Sequence, residues 1–173
     1  GEQCDDGNFN EDDGCNSQCQ FAVPTGSQVY WVDNVAGCSN SGPGSQSQPW
    51  CGLQGADSHS FSAGDTVVFR EGTYKWSNPA RQTSSPHLGA DFQIDADGTA
   101  ANPILIMGYP GEDIILQNTQ ETGNLQTTQG LSVVGTGNHD YIILQGVTIE
   151  GTYAIAASNN NIVRGNTFIG VDG

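Results

Sequence analysis

The chain is short of positive charge, of aromatic residues and of long apolar runs, and each shortage removes a class of function. Arg70, Lys75, Arg81 and Arg164 are the basic residues among 173, against nineteen Asp and Glu, for a formal net charge of −15. So acidic a surface repels nucleic acid and anionic membranes, and repels polyanionic sugars unless metal ions bridge them. No stretch approaches the roughly 20 apolar residues of a membrane-spanning helix, so no membrane insertion is expected. A signal-peptide core and an initiator Met are also missing, which is what processed material would show. No segment longer than a turn carries a helical period.

What is present is glycine, 24 residues of it, and many Asn, Gln, Ser and Thr. The apolar segments are short blocks of Val, Ile, Leu and Phe closed by Gly, Asn, Asp or Pro, the pattern of strands. Residues 139–151 (HDYIILQGVTIEG) are echoed nineteen positions later by 158–170 (SNNNIVRGNTFIG). The echo aligns Ile143 with Ile162, Gly146 with Gly165 and Thr148 with Thr167. Such a repeat marks a β-solenoid, in which each turn buries its apolar side by stacking on the next. The spacing predicts strands at 66–70, 103–107, 113–116, 131–134, 141–144, 147–149, 154–157, 161–164 and 167–169, with alternate residues facing core and solvent. Asn159, Asn160 and Asn161 fall at a turn, where Asn tolerates left-handed backbone. Residues 75–101, rich in Ser, Asp, Pro and Gly, are expected to loop out over one face.

Five cysteines, Cys4, Cys15, Cys19, Cys38 and Cys51, lie in the first third among polar residues. That density predicts a disulfide framework in an exported, extracellular or cell-surface protein. The count is odd, so one thiol is free or pairs outside the chain. Residues 1–20 (GEQCDDGNFNEDDGCNSQCQ) cannot build a core and need disulfides or a metal to hold shape. Asp5, Asp6, Asn8, Asn10, Asp12 and Asp13 supply the oxygen ligands that Ca²⁺ takes. Glu11 and Ser17 stand where an EF-hand loop needs its turn glycine and bidentate Glu, so that motif is excluded. A disulfide-tied acidic spacer without metal is the alternative reading.

The GEQCDDGN start, the turn at 13–15 and Cys19 resemble the myxobacterial cysteine-rich repeat of exported bacterial proteins. The family repeat carries a further cysteine upstream, which implies a chain beginning inside the repeat. A linker at 21–27 follows. From 28 to 173 the order of Val32-Asp33, the Gly/Ser/Asn loop at 37–42, Pro49-Trp50, Leu53-Gln54, the Gly-Asp-Thr-Val run at 64–67 and Gly72-Thr73-Tyr74 resembles right-handed parallel β-helix proteins of the pectate-lyase-like superfamily. The resemblance implies an all-β solenoid with a small disulfide-rich N-terminal segment, and a short helix around Leu53-Gln54 that caps one end. Cys38 and Cys51 flank the loop, and a local disulfide closing it would contribute on the order of 3 kcal/mol.

Enzymes on this scaffold use cations and a base, or paired carboxylates. Here no catalytic set is expected. Asp91, Asp95 and Asp97 have a spacing suited to a metal but read first as a solvated loop, His139 and Asp140 read as turn residues, and Arg70, Lys75 and Arg81 are too few to hold a polyanion. The sequence therefore favours a structural or adhesive solenoid, Ca²⁺-stabilised and stacked end to end as a homo-oligomer or filament. Two alternatives stand beside it: the N-terminal fragment of a polysaccharide lyase or glycosidase with its catalytic coils beyond Gly173, and a module binding an extracellular glycan.

Overall fold

A computed structural model describes Cys4 and residues 13–75, 92–117, 132–154 and 158–169. In chain order the described elements are β1 (Val29–Val32), α1 (Leu53–Asp57), β2 (Thr66–Phe69), β3 (Gly72–Lys75), β4 (Phe92–Gln93), β5 (Ile104–Gly108), β6 (Ile114–Gln117), β7 (Ser132–Gly135), β8 (Ile142–Gln145), β9 (Thr148–Glu150), β10 (Thr152–Ala154), β11 (Ile162–Arg164) and β12 (Thr167–Ile169). They form three sheets: β1-β2-β5-β8-β11, β12-β9-β6-β3 and β10-β7-β4. All their pairings are parallel, because each coil lays its strands on those of the coil before. The fold is a right-handed parallel β-helix, as the short apolar blocks and the echo predict.

The echo becomes register. Ile162 pairs with Ile143 and Val163 with Leu144 in the first sheet, and Thr167 with Thr148 and Phe168 with Ile149 in the second. Its glycines, Gly146 and Gly165, turn the corner between these sheets with φ of 69° and 59°. The Phe21 ring stands where a Cβ on Gly165 would collide with it. Its asparagines bracket the preceding coil. Asn161 accepts from Ile142 N at 2.7 Å and donates to His139 O at 3.0 Å, and Asn166 accepts from Val147 N at 3.0 Å and donates to Leu144 O at 2.9 Å. Asn160 takes the left-handed conformation expected of that turn, with φ of 58°.

Inside, one coil contributes a ring from each sheet: Phe69 from the first, Tyr74 from the second and Phe92 from the third, all buried. Burial first, then the nearby Asp33 carboxylate, push the Tyr74 hydroxyl up to about 12, so it stays a donor to Arg70 O at 2.9 Å and Val32 O at 3.2 Å. Two expectations fail here. Gly72–Lys75 form β3, a strand missing from those the spacing predicts, and the stretch 75–101 is not all loop, since β4 and Ile94 enter the core. Phe92 and Ile94 alternate inward across a strand too short to show a period. β10 begins before the expected 154–157, of which 155–157 lie outside the described residues.

The expected alternation of core and solvent also fails in the first sheet, where β2, β5 and β8 are buried on both faces. Val67, Ile106 and Leu144 point inward, while Val68, Leu105, Met107 and Ile143 form a second cluster outside, against Val23, Val29 and Trp31. The cover is the N-terminal segment. Gly14 O accepts from Gln145 Nε2 at 2.9 Å, and Asp13 O from Arg164 Nη2 at 2.9 Å. Arg164 Nε meanwhile donates to Gln145 Oε1 at 2.8 Å. Phe21 and Val23, in the stretch read as a linker, thus lie on the sheet itself.

The end at β1 is closed. Trp31 N donates to Gly44 O at 2.7 Å, Trp50 N to Trp31 O at 2.9 Å and Asp33 N to Trp50 O at 2.8 Å, so the edge of β1 is paired by its own loop. Cys38–Cys51 ties that loop, and α1 lies over the end with Leu53 and Ala56 buried. His59, following α1, sits 4.2 Å from the Tyr30 ring, 4.8 Å from Phe61 and 5.3 Å from Trp50. Burial lowers its pKa below the ordinary histidine value, against a smaller opposite pull from Asp65. The native state therefore holds His59 neutral while the unfolded chain protonates it near pH 6.5. Its contribution is complete above that pH and is lost as pH falls toward the lower native pKa. Melting temperature should drop between pH 7.5 and 5.5 by more in the native sequence than in His59→Gln; parallel slopes would refute this.

Candidate functional site

With the outer face of the first sheet covered, the outward positions of the second sheet are the described candidates for a binding face. Its outward positions run in register across the coils. Lys75 pairs with Gln117, Gln117 with Glu150 and Glu150 with Ile169, beside a row of Thr73, Ile115, Thr148 and Thr167. Tyr74, Leu116 and Ile149 alternate inward and anchor the strands. An ammonium, a carboxamide and a carboxylate are thus set side by side at the ends of β3, β6 and β9. With strands about 4.8 Å apart, the Lys75 and Glu150 backbones lie roughly 10 Å from one another. Gln117 Nε2 donates to Glu150 Oε2, while Gln117 Oε1 is buried without a hydrogen-bond partner. Lys75 is exposed.

The starts of β3 and β6 carry a second charged group. Arg70 forks onto Glu112, with Nε at 2.8 Å from Oε2 and Nη2 at 2.5 Å from Oε1, and Glu71 N adds a bond to Oε2 at 2.8 Å. The hydrogen bonds from Arg70 hold the Glu112 carboxyl below the usual range and raise the guanidinium in turn. Arg70 also lies 4.6 Å over the Tyr109 ring. So engaged, Arg70 orders a corner and is not available to neutralise a ligand.

The other sequence candidates do not join this face. Asp97 Oδ1 lies 3.2 Å from His139 Nδ1 and accepts from Asp140 N at 3.0 Å, and Asp140 Oδ1 accepts from Asn159 N at 2.6 Å. These residues tie turns of successive coils together. The hydrogen bonds from Asp140 N and then His139 lower the Asp97 pKa. Asp95 accepts from Gln93 Nε2. Arg81 and Asp91 lie outside the described residues, as do Asp5, Asp6, Asn8, Asn10 and Asp12 of the expected Ca²⁺ set. Asp13 is buried, accepts from Cys15 N at 3.1 Å and faces Arg164 at 3.9 Å. Among the described residues no group of three or more His, Cys, Asp or Glu is placed to hold a metal ion. Cys4 pairs with Cys15, and Cys19 is the free thiol.

No family model matches the chain, and no curated protein matches it in sequence. Solved structures do. A rhamnogalacturonan lyase superimposes with a TM-score of 0.58 at 22% identity, over 83% of this chain and 38% of the other. The GH136 lacto-N-biosidase of Eubacterium ramulus does so with a TM-score of 0.53 at 14% identity, over 76% of this chain and 22% of the other. The fold is that of β-helix proteins. The chain spans well under half the length of either neighbour.

Proposed function

We propose that this chain forms the capped coils of an extracellular carbohydrate-active β-helix and holds a neutral glycan along the outer face of its second sheet. The observation that carries the reading is the registered row of Lys75, Gln117 and Glu150, in which the exposed Lys75 supplies a donor, Glu150 an acceptor, and Gln117, its own oxygen buried, holds the Glu150 carboxylate in place. A lyase and a glycosidase among the structural neighbours support the ligand class. The choice of a neutral glycan follows from charge: at −15, with Arg70 paired to Glu112, the chain repels a polyuronate. The two disulfides, and the lack of a helix long and apolar enough to cross a membrane among the described residues, fit an exported protein. Glu150 is the one carboxylate of the row, whereas glycoside hydrolysis uses two. The face therefore binds, and cleavage requires a second carboxylate from elsewhere.

Calorimetric titration with lacto-N-biose-containing and neutral plant oligosaccharides tests the reading. Glu150→Gln and Lys75→Ala should each weaken binding by about tenfold or more, as loss of a hydrogen bond to a charged group does. Absence of binding, or affinity unchanged in both variants, would refute it. An end-to-end filament has no comparable observation behind it.

A further inference from the structure

We propose that the cavity at the capped end is a separate site for a single neutral sugar ring. It lies between the loop tied by Cys38–Cys51 and α1, has a volume of about 380 Å³, and is lined by Asn40, Ser41, Gln54, Ser58 and the rings of Trp50 and His59. That volume falls within the roughly 300–1,000 Å³ of ligand pockets. Asn40 Nδ2 donates to Gln54 Oε1 at 3.4 Å, so Gln54 Nε2 and the hydroxyls of Ser41 and Ser58 are the polar groups presented to a ligand, and no charged side chain lines the cavity. A phosphate or uronate would find no cation, and an ammonium no carboxylate. A neutral polyol matches the amides and hydroxyls, with His59 alongside them and the Trp50 ring almost wholly buried beneath.

The lining is fixed before any ligand arrives, which lowers the ordering cost of binding. Asn40 Oδ1 accepts from Cys51 N at 2.9 Å and Gly52 N at 3.1 Å, so its amide is oriented by the backbone beside the disulfide. Trp50 Nε1 donates to Gly42 O at 2.9 Å, and Ser58 Oγ to Gln54 O at 2.8 Å. Gly55 permits the close approach of α1 to Trp50, since a Cβ there would meet the Trp50 side chain at 2.5 Å. The neutrality of His59 completes an uncharged wall. Only the choice of a saccharide rests on the carbohydrate reading above; the site does not share residues with the second-sheet face.

Nuclear magnetic resonance of the full chain tests the proposal, with the Trp50 indole N–H and the Asn40 and Gln54 side-chain amides as reporters. Galactose, N-acetylgalactosamine, rhamnose and lacto-N-biose are titrated as neutral probes and galacturonate as the charged one. A saturable shift of these signals with at least one neutral sugar, and none with galacturonate, is expected. Gln54→Ala and Ser41→Trp should weaken that binding by about tenfold or more; both positions are exposed, so the fold tolerates the changes. Lys75→Ala and Glu150→Gln should leave it unaltered, which separates failure here from failure of the second-sheet site. Silence of the reporters toward every neutral sugar, an equal response to galacturonate, or shifts that persist in Ser41→Trp would each overturn it.

Discussion

Phe69→Ala should destabilise the chain by about 4 kcal/mol, within the range for a fully buried aromatic ring cut to a methyl group. At this chain length, that corresponds to a fall in melting temperature of roughly 12 °C. Phe69 has no exposed surface, packs edge-on to Tyr74 at 5.4 Å and lies 6.3 Å from Phe92, so it joins all three sheets in one cross-section. Val67 on the same strand, and Ile106 and Leu144 on the next two strands of the sheet, are held in a paired ladder, and the backbone cannot close around the void. Urea unfolding measures the cost. A loss below about 1 kcal/mol would mean that the core relaxes freely, contrary to the packing described.

Replacing both Cys38 and Cys51 by Ser should cost about 3 kcal/mol, from the chain entropy released when a loop of this length is no longer closed. The residues are separated by 13 positions, and the loop they tie carries the Trp50, Asn40 and Gly44 contacts that seal the β1 edge. Loss should therefore extend beyond the unfolded state. Amide exchange at Trp31 and Asp33 should accelerate in the variant while exchange in β8 remains slow. Equal acceleration throughout the chain would show that the cap is not a local unit. A melting temperature within about 2 °C of the parent would refute the stabilising role.

The solenoid was legible because its last coils have almost no insertions, so the offset between residues 139–151 and 158–170 is the strand register itself. The earlier coils hide it. Lys75, Gln117 and Glu150 share one row of the second sheet but are separated in sequence by unequal stretches, and only the pairing brings them into line. Nothing local to Lys75 shows which cationic position faces open sheet and which, like Arg70, is taken by a carboxylate. β4 is two residues long among turn-forming residues, too brief for a period to emerge. The apolar run Leu105-Ile106-Met107 signals a strand but not that both its faces are covered, because the cover comes from residues far away in sequence. Gln145 and Arg164 look like ordinary solvent-facing strand residues until their partners at Asp13 and Gly14 are in place.

Those partners have a consequence for the order in which the molecule is made. Asp13 and Gly14 leave the ribosome well before β8 and β11 exist, yet their seat consists of Gln145 and Arg164 on those two strands. This segment, made before the strands that seat it, is thus among the last to dock, and until then the outer apolar surface of Val68, Leu105, Met107 and Ile143 waits uncovered. Contacts so distant in sequence form slowly. An apolar sheet face so exposed is open to association with other chains until residues 13–23 close over it.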